Sequence, residues 1–389
     1  MGNVEKSKRQ VNYELLRIIA MFMVVTLHYL NHAGVLPEAG GGMNGKNIAG
    51  MLIESFCIVA VNVYVLISGY FLVEAGFKVK RIAVLLCQIL FYALLIPLIM
   101  MGTGIFAGGE EGGAYGLIRY IFPIQTEHYW FATSYVLMYL FSPVMNIAVR
   151  NMSRKQLQMT IAGLLLPFCV MKSVVPVQFV TDRFGYDFGW FLCVYLVAAY
   201  LRLYGCRMFR TAKRSFGIYA GCCFGIFVIA FAAWQVNRMT GLLSYYMAVP
   251  WHYNYLLCLI GAAALFYGFR YVKVKEGKFS ELILRLAPLT FGVYLFHEHM
   301  EIRGEWTGWI EDFIGPVAEC GVFGLIVHLL VSVLLVYAAG TFIDVVRLNS
   351  FHYIGRHLKR TKLCKWLEQL DEEFSKKNPK KDGTQAWKD

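Results

Sequence analysis

The feature that most limits the fold of this 389-residue chain is a succession of long apolar segments. A helix needs about 20 residues to cross the hydrocarbon core of a bilayer, and several segments reach that length. Hydrophobic residues make up 58% of the chain and charged residues only 16%, which excludes an ordinary soluble domain. The sequence therefore predicts an all-α, polytopic membrane helical bundle, embedded in a lipid bilayer.

The hydrophobic pattern predicts about ten transmembrane helices. Their expected positions are 13–33, 51–73, 82–101, 129–148, 157–176, 187–204, 216–236, 251–270, 286–300 and 320–346. Pro167 is expected to distort the fifth helix, because proline removes a helical hydrogen bond. The ninth helix follows Pro288 and is the shortest of the ten.

Basic residues are distributed unevenly between the loops. Most of the 37 lysines and arginines fall in alternate loops and at the C-terminus. The positive-inside rule then places these loops and both termini in the cytoplasm. The same distribution explains the net charge of +12 without a nucleic-acid partner. We expect a membrane domain over 1–346 and a basic tail over 347–389, with an amphipathic interfacial helix at 351–374.

The cysteines and histidines do not form a metal-binding pattern. The ten cysteines lie mostly inside apolar segments and include no C-x-x-C pair, so buried free thiols are expected. His28 and His32 have the i, i+4 spacing of a helical metal site. No carboxylate or cysteine accompanies them at the matching spacing, so no metal site is predicted.

The first apolar segment carries three ionisable residues, Glu14, Arg17 and His28. A charge at the bilayer centre costs about 2.5–3.5 kcal/mol on insertion scales, so such residues usually face a bundle interior, a cavity or a site. Arg17 and His28 lie about 20° apart around the helix and about 16 Å apart along it. The guanidinium suits a phosphate, and a buried neutral imidazole can act as a base. The alternative is a structural Glu14–Arg17 ion pair beside a hydrogen-bonded core histidine.

The order of several short motifs resembles a known family. Glu14-Leu-Leu-Arg17, followed after ten residues by His28, resembles the first-helix motif of the acyltransferase 3 family of integral membrane acyltransferases. Glu14 stands where many members have aspartate, which keeps the charge. The later segments that resemble family motifs, in the same order, are 65–72 with Ser68-Gly69, Lys80-Arg81, 128–131 with the later Ser142-Pro143, and 294–297. The resemblance covers roughly residues 10–346.

The resemblance implies an enzyme that transfers an acyl group. Its donor would be cytoplasmic acyl-CoA, usually acetyl-CoA, and its acceptor a hydroxyl of a cell-envelope or exported glycan or of a lipid-linked sugar. Acyl-CoA would be a co-substrate, and no permanently bound cofactor is expected. The resemblance also implies that His28 is the essential catalytic residue, with Arg17 as its motif partner and Glu14 beside them.

Two further groups of residues are expected to bind the substrates. Arg17, Lys80, Arg81 and Ser68 would contact the donor, because the three cations lie at the predicted cytoplasmic ends of their helices. The two cations of the third helix could equally serve only as topology signals. The predicted acceptor-binding residues are Glu54, His128, Trp130 and His297.

Other interpretations of the same residues remain open. Trp130 could stack on a sugar or anchor the helix at the membrane interface, and terminal histidines could simply be hydrated. The alternative function is a secondary transporter or a lipid or glycan flippase, in which the ionisable residues would couple ion movement. A non-catalytic sensor or anchor is a third interpretation.

Overall fold

The computed structural model describes residues 10–38, 41–104, 114–177, 180–358 and 361–375. These residues form helices, turns and loops, and they contain no strand. Expectations for the chain before Gln10 and after Ser375 lie outside the described residues. The helices are α1 (Val11–His32), α2 (Gly45–Cys57), α3 (Ala60–Leu72), α4 (Val79–Thr103), α5 (Ala114–Ile121), α6 (Trp130–Asn151), α7 (Arg154–Leu165), α8 (Lys172–Val174), α9 (Phe188–Tyr204), α10 (Ala212–Thr240), α11 (Ser244–Ala248), α12 (Leu256–Phe269), α13 (Lys278–Leu286), α14 (Thr290–His297), α15 (Trp306–Ile314), α16 (Val322–Leu358) and α17 (Lys362–Ser375).

The helical membrane bundle predicted from the sequence is confirmed. Within the described ranges, nine helical segments are long and apolar enough to cross a membrane, and each coincides with a predicted span. The sixth predicted span corresponds to α9, a shorter apolar helix of 17 residues. At 1.5 Å per residue α9 is about 26 Å long, slightly less than the hydrocarbon core. The cytoplasmic location of the two termini remains a prediction.

The second predicted span is broken rather than continuous. Its two halves, α2 and α3, are separated by a turn at Ile58 and Val59. A break inside a membrane exposes backbone carbonyls that need donors. The hydroxyl of Tyr219 donates to the carbonyl oxygen of Phe56 over 2.7 Å, and the thiol of Cys258 donates to that of Ile58 over 3.5 Å. The neighbouring helices α10 and α12 thus stabilise the break.

Pro167 distorts the fifth predicted span, as expected. Regular α-helix ends at Leu165, and the chain continues as a π-helical turn over Leu166–Met171 before the short helix α8. Proline at the second position of this turn lacks the N–H that an α-helical hydrogen bond requires. A wider turn is one of the known ways in which a helix accommodates that loss.

Helix α3 forms the centre of the bundle and packs against α1, α9 and α12. Ten of its thirteen residues are buried. A Cβ atom at Gly69 would lie 2.9 Å from the Cβ of Ala198, so this glycine allows α3 and α9 to approach closely. Helix α3 continues past Ser68 and Gly69 to Leu72.

The tail differs from the sequence prediction in two respects. Arg347 is not an exposed tail residue: it is buried within α16 and forms a bidentate ion pair with Asp344, at 2.9 and 2.6 Å. The predicted single helix over 351–374 is two helices, because α16 continues to Leu358 and α17 begins at Lys362. The buried charges are stabilised by further donors to Asp344, from Gln88 and Tyr92 of α4.

Candidate active site

The ionisable stripe of α1 has a different environment at each end. Arg17 and Glu14 form the expected ion pair, with 2.8 Å between guanidinium nitrogen and carboxylate oxygen. The Arg17 side chain keeps 29% of its surface exposed, whereas that of Glu14 keeps 10%. The hydroxyl of Tyr64, on α3, donates to the Arg17 carbonyl oxygen over 2.7 Å. The ion pair therefore exists, and it leaves part of the Arg17 side chain exposed.

His28 lies against the end of α14, in the most polar cluster of the bundle interior. Its Nδ1 atom is 2.8 Å from Nε2 of His297 and 3.1 Å from Oε1 of Glu298. His297 is the last residue of α14, and Glu298 follows it at the C-cap. Packing of α14 against α1 thus brings together side chains that are 269 residues apart in sequence.

The hydrogen-bond network defines the tautomers of the two histidines. Nδ1 of His297 lies 2.6 Å from the carbonyl oxygen of Val293, which can only accept, so this Nδ1 carries hydrogen. In a neutral His297 the Nε2 atom is then an acceptor, and Nδ1 of His28 must donate to it. Nε2 of neutral His28 therefore carries the free lone pair of a base. Oε1 of Glu298 lies 3.1 Å from the same Nδ1 atom, at the distance of an ion pair.

His28 forms part of the wall of a cavity within the bundle. Along α1 this cavity runs from His28 past Val24 to Met21, which lies one helical turn from Arg17. The remaining wall is mainly aromatic and comprises Val61, Tyr64, Trp130, Phe131, Tyr253, Phe291 and Tyr294. His28 therefore borders a mainly apolar space that extends along α1 towards Arg17.

Two of the four predicted acceptor-binding residues lie at this site. Trp130 lines the cavity and is stacked on Tyr253, with ring centroids 5.7 Å apart and planes 19° apart. His297 contacts His28 directly, which makes it a partner of the base as well as a candidate substrate contact. An aromatic wall beside a buried imidazole is suited to packing against a sugar ring.

The other two predicted acceptor-binding residues lie outside the cavity wall. Glu54 is buried near the end of α2, and its Oε2 atom has no hydrogen-bond partner among the described residues. His128 packs against His299, with ring centroids 4.6 Å apart. Burial lowers the pKa of His128 to about 3, so its ring is neutral. The structure does not bring these two side chains to His28.

Arg17 and the predicted donor-binding cations lie at the same end of the bundle. Tyr13, one turn before Arg17, packs against Tyr70 and Phe71 at the end of α3, with ring centroids 5.8 and 5.5 Å away. Since α4 starts soon after α3 ends, the start of α4 with Lys80 and Arg81 shares this end. Ser68 is half-buried in α3, one turn before the helix ends.

Helix α17 covers the start of α4. The Nζ atom of Lys80 is 3.1 Å from Oε1 of Glu368, and the backbone N–H of Lys80 donates to Oδ1 of Asp371 over 3.3 Å. Phe374 packs against Phe77 with ring centroids 4.9 Å apart. Two carboxylates of the tail thus contact Lys80, one of the residues predicted to bind the donor.

Glu298 is the site residue that the sequence analysis missed. The available signal was its position directly after His297, at the end of an apolar segment. His28, His297 and Glu298 also offer three ligand atoms within 4.8 Å of one another, an arrangement that could hold a metal ion. The hydrogen bonds described above explain this closeness without an ion, and a cation would have to replace the hydrogen on Nδ1 of His28.

These features define a class of protein: a multi-pass helical membrane protein whose bundle encloses a histidine–carboxylate cluster beside an aromatic cavity. The chain belongs to the acyltransferase 3 family, because the family model, described as an acyltransferase domain, matches residues 10–344. This match confirms the resemblance seen in the sequence and indicates acyltransferase activity. No curated protein and no solved structure matches the chain.

Proposed function

We propose that this protein transfers an acetyl group from acetyl-CoA to a hydroxyl of a cell-envelope or exported glycan. The observation that carries the proposal is the orientation of His28. Its Nδ1 is engaged by His297 and Glu298, which leaves Nε2 as the base in the wall of the cavity. A base held in one tautomer beside a water-poor cavity is suited to activating a hydroxyl for acyl transfer.

The proposed reaction uses His28 as both base and acid. Nε2 takes the proton from the acceptor hydroxyl as its oxygen attacks the thioester carbonyl carbon. The tetrahedral intermediate then collapses, the carbon–sulfur bond breaks, and the imidazolium returns the proton to the departing CoA sulfur. The products are the glycan ester and free CoA, and His28 ends in its starting form.

Glu298 favours the charged intermediate state of this cycle. Burial raises the pKa of its carboxyl, which means that the carboxylate is poorly stabilised while His28 is neutral. When His28 becomes an imidazolium, the two charges face each other across 3.1 Å. An interaction that strengthens only as the reaction proceeds lowers the barrier rather than merely binding substrate.

The proposed donor route follows the cavity along α1, and the cavity volume of about 20 Å³ must increase when the donor enters. The phosphates of acetyl-CoA would bind the exposed part of Arg17, and the narrow pantetheine arm would follow Met21 and Val24 towards His28. Arg17 and His28 are about 16 Å apart along α1. A donor that contacts both residues must therefore have a long, thin arm, which excludes a compact donor. The stacked rings of Trp130 and Tyr253 offer a surface for the acceptor sugar.

The test uses purified protein in proteoliposomes, with radiolabelled acetyl-CoA and an extract of envelope glycan. We expect label to appear in the glycan as an ester that mild alkali releases, together with stoichiometric free CoA. A flippase or a secondary transporter would instead move a sugar, a lipid or an ion across the vesicle membrane without consuming acetyl-CoA. That result would contradict the proposal.

A further inference from the structure

The wall of the cavity beside His28 includes a tyrosine whose hydroxyl group has no acceptor in the described part of the chain. Tyr294 lies on α14, three residues before His297, and it lines the cavity. The residue is 4% exposed, and its hydroxyl hydrogen has no acceptor within the described residues, whereas the backbone N–H groups of Phe131 and Ala132 face its oxygen. Buried polar groups are nearly always paired, so a hydroxyl without an acceptor in a cavity wall suggests a ligand atom that it binds.

Other buried tyrosines show that this bundle can pair a phenol when the fold needs it. The hydroxyl of Tyr129 donates to the carbonyl oxygen of Leu295 over 3.0 Å, one residue after Tyr294. Three tyrosine hydroxyls in the described part of the chain are buried and unpaired, those of Tyr13, Tyr294 and Tyr337. Of these three residues, Tyr294 is the one that lines the cavity with His28.

Helix α14 holds this phenol in a fixed relation to the base. The rings of Tyr294 and His297 lie 6.2 Å apart with their planes at 88°, and His297 bonds His28. The same helical turn therefore positions the partner of the base and places Tyr294 in the cavity wall. Because the wall is apolar and excludes water, a hydrogen bond formed there is stronger than one in bulk solvent.

We propose that Tyr294 donates its hydroxyl hydrogen to the thioester carbonyl oxygen as that oxygen becomes negatively charged during acyl transfer. This inference rests on the proposed function. The proton stays on Tyr294 throughout, so the step changes no covalent bond of the protein. A preformed donor aimed at a developing oxyanion stabilises the transition state more than the ground state.

Tyr294→Phe is the direct test, because it removes the hydroxyl oxygen and keeps the ring. We expect kcat with acetyl-CoA to fall by about 10²- to 10³-fold, as for the loss of other oxyanion donors, with little change in KM. We also expect the thermal midpoint to stay the same or rise, because the substitution removes an unpaired buried polar group. A merely structural tyrosine would give a lower midpoint instead.

Tyr337→Phe is the matched control. Its hydroxyl is also buried and unpaired, but Tyr337 lies outside the cavity wall, so kcat should stay within about twofold of wild type. Equal kcat values for Tyr294→Phe and wild type would overturn the inference and leave the proposed function intact. Absence of turnover in the wild type itself would overturn both.

Discussion

The charge on Glu298 is expected to matter more than its polar contact with His28, and Glu298→Gln separates the two. Glutamine has the same length, and its amide oxygen can take the place of the carboxylate oxygen that lies 3.1 Å from Nδ1 of His28. Hydrogen bonds to charged groups contribute about 1.5–3 kcal/mol, compared with about 0.5–1.5 kcal/mol for neutral ones. A loss of about 1–2 kcal/mol in the transition state corresponds to a kcat about 5- to 30-fold lower.

The assay is steady-state consumption of radiolabelled acetyl-CoA in nanodiscs at saturating donor. Glu301→Gln is the control, because Glu301 is equally buried and bonds the hydroxyl of Tyr120 rather than a histidine. It should retain wild-type kcat. The reasoning is refuted if Glu298→Gln retains wild-type kcat, or if both variants lose activity equally.

The pH dependence of the reaction offers a second measurement of Glu298. Its carboxyl must be ionised to face the His28 imidazolium, so the reaction needs a pH above the pKa of Glu298. Burial raises that pKa above its ordinary value of 4.5. As pH falls through the raised pKa, kcat should therefore decline. In Glu298→Gln, which has no carboxyl at this position, this decline of kcat at low pH should be absent.

Three other changes have defined outcomes. Arg17→Gln should raise KM for acetyl-CoA. The double variant with Glu14→Gln should recover the thermal midpoint but keep the raised KM. If KM also recovers, Arg17 acts only through its ion pair with Glu14. Glu368→Gln should lower KM for acetyl-CoA by about two- to fivefold, because an exposed ion pair contributes up to about 1 kcal/mol, while Glu373→Gln on the opposite face of α17 should not. Asp344→Ala should destabilise the protein by about 3–5 kcal/mol, measured by thermal unfolding, because it leaves a buried guanidinium unpaired; an unchanged midpoint would contradict this.

Most of the helical architecture could be predicted because lipid restricts the options. A spanning segment must be apolar and long, and both properties are visible in the sequence. The break at Ile58 and Val59 was not visible, because these residues are as apolar as their neighbours. It depends on donors that Tyr219 and Cys258 bring from other helices. Burial of Arg347 also could not be predicted, because the Asp344–Arg347 pair is buried where α4 supplies Gln88 and Tyr92 as further donors to Asp344.

The same distinction between local pattern and tertiary packing applies to the candidate site. Arg17 and His28 could be placed on one face from helical periodicity alone, because both belong to α1. The contact between His28 and Glu298 requires α14 to pack against α1, and no local pattern encodes that distance. Helix α17 covers Lys80 for a similar reason: the ion pair joins segments that are 288 residues apart. Local spacing thus predicts one half of the site, and tertiary packing supplies the other half.

The central claim is that His28 is the base that activates the acceptor hydroxyl for acyl transfer, and one measurement tests it most directly. Transfer of label from acetyl-CoA to glycan is compared for wild type, His28→Ala and His32→Ala, all inserted in the same nanodiscs. His32 lies one turn beyond His28 on α1 and is the matched control. We predict that His28→Ala abolishes transfer while His32→Ala and wild type remain active. Normal acetyl-CoA turnover by a folded His28→Ala variant would contradict the account.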